Sequence, residues 1–312
     1  MEPWDMRSHF LELVKQKGGF RCLHAHFDKS YLISPETLKL SQASLQDKWK
    51  LYRQLKESYT PEDLHSRITR CCENMIAQGV THCRTFVDAD KIVGLDPIIA
   101  ALGVAEQLKD KLTLETAIQP LEGVVEKESR ARYEEACALA DCIGGLPERD
   151  EDPAAHLDII FNLAVDMDKP VDIHVGQNNT PQERETEMVL SLIPKYGLEG
   201  RVRLVHAISL SCQPKKERDR IISTMKDLGV EVIVCPSAAI SMKQRSDLLA
   251  PIHNSIAPVM ELIEGGVEVS LGIDNIHDLF MPLVDGDLWF ECRLMMEAIR
   301  CYDLELIASI AT

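Results

Sequence analysis

The sequence predicts a single (β/α)8 barrel, a TIM barrel, that extends over residues 1–312. Eight short apolar segments recur along the chain, and charged stretches with helical periodicity separate them. Several of these segments end in a histidine or an aspartate, at the point where a parallel barrel strand delivers side chains to its carboxyl rim. Eight repeats favour a closed barrel over an open doubly wound sheet, and no G-x-G-x-x-G turn follows any segment.

Each element of this fold can be placed in order. The first 19 residues form a predicted helix that ends at Gly18 and Gly19. The predicted strands cover residues 20–27, 81–88, 113–120, 141–147, 170–176, 202–209, 231–237 and 268–275. The first crossover, residues 28–80, is long and contains the charged stretch LSQASLQDKWKLYRQLKES. We expect this stretch to be helical and to cover the barrel mouth.

Composition and charge narrow the class of function. The chain has 34 Lys and Arg against 50 Asp and Glu, a formal charge of -16, which opposes binding to a nucleic acid. It contains no apolar run of 18 residues, and its charged N-terminus lacks the apolar core of a signal peptide. We therefore expect a cytoplasmic protein with a small-molecule substrate and no nucleic-acid or membrane partner. Ten cysteines without C-x-x-C spacing predict buried free thiols.

Four metal-type residues occupy matching positions in this pattern. His24 and His26 are two residues apart on the first strand, so their side chains share one face. His174 ends the fifth strand, and Asp274 ends the eighth, which lies beside the first in a closed barrel. A lone histidine after an apolar run is usually a core residue, but this combination favours a metal site. Three imidazoles and a carboxylate suit one divalent ion, zinc or iron, with a position open for water.

His206 ends the sixth strand, between the fifth-strand histidine and the eighth-strand aspartate. It could be a second metal ligand or a neutral hydrogen-bond donor to the substrate or to the attacking water. We favour the donor role. The ligand types alone do not choose between zinc and iron.

Taken together, the motifs resemble the amidohydrolase superfamily, and its cytosine deaminase branch in particular. The matching segments are GFRCLHAHFDKS, CRTFVD (83–88), AIQPLEG (117–123), VDIHVGQNNTPQERETE (171–187), LVHAIS (204–209), VIVCPSAAISMKQR (232–245) and GIDNIHDLFMP (272–282). The resemblance therefore covers about residues 19–300, and the combination of motifs is specific although each alone is weak.

The resemblance implies one metal held by His24, His26, His174 and Asp274, with a metal-activated hydroxide that attacks a C–N bond of a small heterocycle or amide. It also implies that Asp274 accepts the proton from the water and that His206 stabilises the charge that develops during the reaction. Gln119, in AIQPLEG, is implied to reach the substrate. Relatives usually carry a small β-sandwich, which we expect this chain to lack.

One position departs from the cytosine deaminase pattern. Those enzymes carry a proton-shuttling Glu three residues after the fifth-strand histidine, and here that residue is Gln177. An amide cannot take up a proton at neutral pH, and losing such a shuttle typically costs ~10²–10⁴-fold in rate. Asp278, Asp28 and Glu183 are alternative proton carriers. We expect Gln177 to lie within hydrogen-bonding reach of the attacking water.

Two hypotheses about function therefore stay open. The first is a metal-dependent hydrolase that acts on a C–N bond of a small ring or amide. The second is a catalytically impaired barrel, a pseudoenzyme, that retains metal or ligand binding.

We also predict association into a homo-oligomer. Without the sandwich, the flank formed by the two ends of the chain must be polar or find a partner. The apolar residues that mark this flank are Trp4, Phe10, Leu11, Leu13, Leu306 and Ile307.

Overall fold

The computed structural model describes residues 3–241 and 256–312, and it contains an eight-stranded parallel barrel. The strands follow one another in chain order, from β1 to β8. The eighth strand returns to the first, where Ala25 and Asp274 form a parallel bridge. Helices lie between the strands, so the predicted TIM barrel is confirmed.

The strands begin within one residue of the predicted positions, but most of them end earlier. Their bounds are β1 Phe20–Ala25, β2 Val80–Asp88, β3 Thr113–Gln119, β4 Cys142–Gly145, β5 Val171–Val175, β6 Val202–His206, β7 Glu231–Val234 and β8 Glu268–Leu271. The predicted strands that end at residues 27, 147, 209, 237 and 275 were too long, because the last residues of those apolar runs belong to the loops above the strands. His26 and Asp274 therefore lie just beyond their strands.

Twelve α-helices are present in the part of the chain that the structure describes. They are α1 Met6–Gln16, α2 Leu45–Lys56, α3 Pro61–Ala77, α4 Asp96–Leu108, α5 Lys127–Leu139, α6 Pro153–Met167, α7 Glu185–Tyr196, α8 Lys215–Asp227, α9 Pro236–Ser241, α10 Val259–Glu264, α11 Leu288–Ile299 and α12 Leu304–Ile310. Among these described helices, none is both long enough and apolar enough to cross a bilayer.

The N-terminal helix is shorter than the predicted residues 1–19. It begins after Asp5, whose carboxylate accepts a hydrogen bond from the Ser8 amide at 3.0 Å and so caps the helix. It ends before Gly18 and Gly19, whose positive φ angles of 107° and 98° turn the chain into β1.

The two ends of the chain pack against each other through α1 and α12. Phe10, Leu13 and Ile307 lie in the core, and Leu11 and Leu306 pack against it. Only Trp4 of the predicted oligomer flank is exposed, at 68%. The reasoning that made this flank an oligomer surface was therefore wrong, because the chain covers these side chains itself. Homo-oligomer formation stays a prediction without that support.

Buried ion pairs fill the lower part of the barrel interior. The Arg84 guanidinium donates to Asp172 Oδ2 at 3.0 Å, and Arg203 pairs with the other oxygen of the same carboxylate. Asp172 precedes His174 by two residues on β5, so both side chains point to the same face of the strand. The interior is thus occupied below the histidines, and the accessible site lies at the carboxyl end.

The long first crossover places α2 over the barrel mouth, as expected. Lys56, the last residue of α2, is buried and donates to Asp90 at 2.5 Å, while its Nζ lies 3.4 Å from Asp88. Lys29, just after β1, pairs with Asp88 at 2.7 Å and with Asp28 at 3.1 Å. These buried pairs attach the crossover to the ends of β1 and β2.

Candidate metal centre and active site

The four predicted ligands converge at the carboxyl rim of the barrel. Asp274 Oδ1 lies 3.1 Å from His26 Nε2 and 3.3 Å from His24 Nε2. His174 Nε2 lies 3.4 Å from His26 Nε2. The possible ligand atoms of His24, His26 and His174 all lie within 4.8 Å of one another, and the same holds for His24, His206 and Asp274. Five residues from four strand ends thus face one small volume.

The backbone around this cluster is irregular, and the irregularities help to orient the side chains of the cluster. The register of β1 against β2 shifts between Cys22 and Ala25, and such bulges redirect side chains at active sites. A Cβ on Gly272 would stand 2.7 Å from the Cβ of His24, so only glycine lets β8 approach β1 this closely. His206 and Asp274 adopt positive φ angles of 74° and 64°, a strain that clusters at functional sites.

Hydrogen bonds define which ring nitrogen of His174 faces the cluster. His174 Nδ1 lies 3.1 Å from the carbonyl oxygen of Gly145. A carbonyl only accepts, so Nδ1 must carry the proton and Nε2 presents its lone pair to the cluster. In the described chain, both ring nitrogens of His24 and Nδ1 of His26 and His206 are buried without a hydrogen-bond partner. His24 Nε2 is close to Asp274 but poorly aligned for a hydrogen bond.

Burial and mutual contacts set the charge states of the cluster. Burial lowers the pKa of His24 to about 4, although Asp274 opposes this shift. Burial also lowers the pKa of His174 and of His206. Burial raises the pKa of Asp274, but contacts with His24 and His26 outweigh it and hold that pKa well below its usual value. Neutral imidazoles and an ionised carboxylate are the forms that metal ligands need, so the residues fit a divalent ion.

A cleft opens above the cluster, roofed by α2. Its apolar wall consists of Ala43, Leu45, Trp49, Leu121, Leu146, Ala238, Phe280 and Met281. Its polar lining consists of Lys48, Gln119, Gln177, Ser241 and Asn275, together with His26, His174, His206 and Asp274 of the cluster. Gln119 Oε1 is buried and has no hydrogen-bond partner in the described chain. This predicted substrate contact therefore offers the cleft an unpaired hydrogen-bond acceptor.

Gln177 lines the cleft as predicted, but it also has a neighbour that sequence reasoning missed. Its Nε2 donates to Glu148 Oε2 at 3.3 Å. A carboxylate only accepts, so this contact turns the amide nitrogen towards Glu148 and leaves Gln177 Oε1 as an acceptor. Glu148 also accepts from Gln46 of α2 at 3.2 Å. The only sequence signal for Glu148 is an acidic residue just after a strand, which is too common to single out.

The three alternative proton carriers do not line the cleft in the described structure. Asp28 is held in the buried ion pairs at the base of the crossover. Asp278 accepts from the Tyr52 hydroxyl at 2.6 Å, and burial raises its pKa to about 6. Glu183 accepts from the Asn178 amide at 3.0 Å, and burial raises its pKa to about 8.

This cluster and its barrel match a known family. The model of the amidohydrolase family matches residues 18–310, which is most of the chain. The chain belongs to the amidohydrolase family. Membership of the amidohydrolase family indicates a metal-dependent hydrolase that acts on C–N bonds, and the predicted resemblance is confirmed.

Sequence relatives support the same assignment. An uncharacterized protein of Haemophilus influenzae is 36% identical over 272 residues, which are 86% of this chain and 97% of that protein. N-isopropylammelide isopropyl amidohydrolase of Pseudomonas sp. (strain ADP) is 25% identical over 281 residues, which are 86% of this chain and 65% of that enzyme.

Solved structures of other amidohydrolases show the same fold. The 5-methylcytosine deaminase of Klebsiella pneumoniae, liganded with phosphonocytosine, superposes with a TM-score of 0.86 at 24% identity, covering 94% of this chain and 73% of that one. The N-isopropylammelide isopropylaminohydrolase of Burkholderia multivorans has a TM-score of 0.75 at 22% identity, covering 93% and 71%. At these identities the likeness supports the barrel alone.

Proposed function

We propose that this protein hydrolyses a C–N bond of a small heterocycle and releases ammonia or an amine. One divalent metal, zinc or iron, is held by His24, His26, His174 and Asp274. The observation that carries the proposal is the convergence of buried imidazole nitrogens around one ionised carboxylate, several of them without a hydrogen-bond partner among the residues that the structure describes. Such atoms are costly to bury unless a ligand satisfies them.

The cleft and the relatives support a small planar ring as the substrate. Trp49 and Phe280 contribute aromatic surface to a cleft that α2 covers, and flat rings pack well against such surface. One sequence relative is named N-isopropylammelide isopropyl amidohydrolase, and the motifs resemble cytosine deaminases. The acidic composition of the chain disfavours a nucleic acid as the substrate.

The residues of the cleft divide the chemistry among them. When bound, the metal supplies a Lewis acid that lowers the pKa of water towards about 7. Asp274 is ionised and lines the cleft, so it can accept the proton of the attacking water. His206 is neutral and lines the same cleft, so its N–H can donate to the charge that develops on the substrate. Gln119 can orient the ring through its amide, and α2 limits the access of bulk water.

A second candidate is a catalytically impaired barrel that binds a metal or a ligand without ordinary turnover. Gln177 favours it, because an amide stands where cytosine deaminases carry a proton-shuttling carboxylate. Glu148 accepts from the Gln177 amide at 3.3 Å, but it is not among the described residues that line the cleft.

The experiment that tests the proposal combines metal analysis with a screen for ammonia and amine release. Protein loaded with zinc or iron and chelator-treated protein are compared on a panel of pyrimidines, triazines and pterins. The proposal expects close to one metal ion per chain and release from at least one ring that depends on the metal. Metal binding with no release from any ring favours the impaired barrel. Absence of a bound metal contradicts the hydrolase proposal and leaves only an impaired barrel that binds a ligand without a metal.

A further inference from the structure

A buried histidine outside the cleft is connected to the metal cluster through one peptide group. His156 of α6 is fully buried, and it is not among the described residues that line the cleft. The amide of Leu146 donates to His156 Nε2 at 3.0 Å. The carbonyl oxygen of the same peptide group belongs to Gly145, and it lies 3.1 Å from Nδ1 of His174. The Gly145–Leu146 peptide group, at the end of β4, therefore joins His156 to a predicted metal ligand.

The hydrogen bonds of His156 fix its tautomer. Its Nδ1 lies 2.7 Å from Asp150 Oδ2. Burial raises the pKa of Asp150, but hydrogen bonds from His156 and Val124 outweigh it and lower that pKa. An ionised carboxylate only accepts, so Nδ1 of His156 carries the proton and Nε2 accepts from Leu146. Burial lowers the pKa of His156, although Asp150 opposes this shift, and the neutral ring is the form that can accept.

The Asp150 end of this chain of hydrogen bonds is also fixed in place. Asp150 Oδ2 accepts from the amide of Val124, in the loop after β3, at 2.8 Å. A Cβ on Gly123 would collide with the Asp150 carboxylate, and Gly123 has a positive φ of 80°, so this close approach requires glycine. From Asp150 to His174, each donor is therefore matched to an acceptor in a single direction.

We propose that His156 is a positioning residue for the metal centre and acts on His174 through the Gly145–Leu146 peptide group. The inference rests on the proposed function, because it takes His174 to bind the metal. By accepting from the Leu146 amide, His156 holds the plane of the peptide group whose carbonyl orients the ring of His174. Hydrogen bonds in such a chain also polarise one another, so the carbonyl becomes a stronger acceptor and Nε2 of His174 a stronger electron donor.

The test compares variants of His156 in the full-length chain, loaded with zinc or cobalt(II). Competition with a chromophoric chelator measures zinc affinity, and the visible spectrum of the cobalt(II) protein reports the geometry of the ligands. His156→Leu removes the acceptor, whereas His156→Gln keeps an acceptor at the end of its side chain. Tyr133→Phe is the matched control, because the buried Tyr133 hydroxyl donates to the carbonyl oxygen of Gly144, one residue before Gly145 on β4.

We expect His156→Leu to bind zinc ~10–100-fold more weakly than wild-type protein, the usual cost of losing a group that orients a metal ligand, and to change the cobalt(II) spectrum. His156→Gln should recover most of the zinc affinity and the wild-type spectrum. Tyr133→Phe should unfold more easily but change neither property. If His156→Leu unfolds more easily yet keeps the wild-type zinc affinity and spectrum, His156 only anchors α6 and the proposal is wrong. Equal zinc affinities of the Gln and Leu variants, or an equal loss in Tyr133→Phe, would also contradict it.

A measurement on wild-type protein keeps the proposal testable if His156→Leu does not fold. Nitrogen NMR of the histidine side chains in zinc-loaded protein should show the proton of His156 on Nδ1. A proton on Nε2 would overturn the role of His156 and leave the metal centre standing. If wild-type protein binds neither zinc nor cobalt(II), the proposed function fails, and the role of His156 fails with it.

Discussion

The rim of the barrel and the roof helix α2 form opposite sides of the same cleft, and the sequence encodes them differently. At the rim, each side chain lies in the last residues of a strand or just beyond it, where the apolar pattern fixes its place, as for His174 in β5 and Asp274 after β8. On the roof, Lys48 and Trp49 belong to a charged helix without a motif. The difference teaches that the predicted metal ligands at the rim depend on local pattern, whereas the side chains on the opposite wall of the cleft depend on long-range packing.

The two sides also differ in how far their polar groups are satisfied. At the rim, ring nitrogens of His24, His26 and His206 are buried without hydrogen-bond partners in the described chain. The roof is attached by complete contacts, such as those from Tyr52 to Asp278 and from Lys56 to Asp90. The rim is therefore built to receive a ligand, and the roof is stable without one.

Removing a rim imidazole should have the largest effect. In His174→Ala, the lost nitrogen leaves the metal under-coordinated, so we expect a clear metal deficit and a loss of any activity of at least ~10²-fold. Elemental analysis and ammonia release measure the two effects. His82→Ala is the control, because His82 lies near the opposite end of β2 and pairs with Glu115 at 3.2 Å. Full metal occupancy in His174→Ala would place the site elsewhere.

Exchanging Gln177 and Glu148 tests the comparison between the rim and the roof. Gln177 lines the cleft near the rim, and Glu148 also contacts the roof through Gln46. Gln177→Glu restores a carboxylate in the cleft, but it sets two carboxylates about 3.3 Å apart, and their repulsion raises the pKa of one of them. The double variant with Glu148→Gln keeps one carboxylate and one amide in contact. We expect it to raise ammonia release by up to ~10²-fold, and the single variant by less.

The control for this exchange is Glu148→Gln alone, which adds no carboxylate to the cleft and should not raise the rate. Ammonia release is measured on the ring panel with all proteins at equal metal content. If the natural protein already deaminates a ring at ordinary enzyme rates, another group carries the proton. The interpretation that Gln177 lowers the rate of the reaction would then be wrong.

The sequence predicts the rim better than the roof for physical reasons. Strand alternation places His24, His26 and His174 without any knowledge of distant residues, and the structure brings them together. Glu148 lies in a short turn after β4, so its contact with Gln177 depends on the relative height of two loops. Lys48 reaches the cleft only because the crossover folds back over the barrel. No periodicity in the sequence records either arrangement.

The ends of the chain show the same limit. Apolar residues such as Phe10 and Ile307 are visible in the sequence, but their partner is not. They suggested a surface for another copy of the chain, and the structure instead packs α1 against α12. Hydrophobicity predicts that a side chain is covered, and only the three-dimensional arrangement shows what covers it.

Weakening the attachment of the roof should have a moderate effect on stability and none on metal content. In Tyr52→Phe, the Asp278 carboxylate loses a donor at 2.6 Å and the Leu279 amide loses an acceptor at 3.2 Å. We expect a loss of about 1–3 kcal/mol in the free energy of unfolding, measured with denaturant. Tyr302→Phe is the control, because that hydroxyl contacts Glu297 on an exposed surface and its loss should change little. A metal deficit in Tyr52→Phe would show that the roof also supports the rim.

The last prediction concerns the pH dependence of stability at Glu183, in the loop that carries Gln177. Burial raises the pKa of the Glu183 carboxyl from 4.5 to about 8, although hydrogen bonds from Asn178 act to lower it. A carboxyl group with a raised pKa in the folded state contributes stability that is complete below pH 4.5 and is lost as pH rises to about 8. Glu183→Gln has no such group, so the melting temperature of wild-type protein relative to this variant should fall between pH 5 and pH 8 and then level off. A difference that stays constant between pH 5 and pH 8 would mean that Glu183 is already ionised in the folded protein and that its pKa is not raised. Ammonia release by the same variant decides whether Glu183 carries protons for the reaction, because a proton carrier cannot be replaced by an amide without a loss of rate.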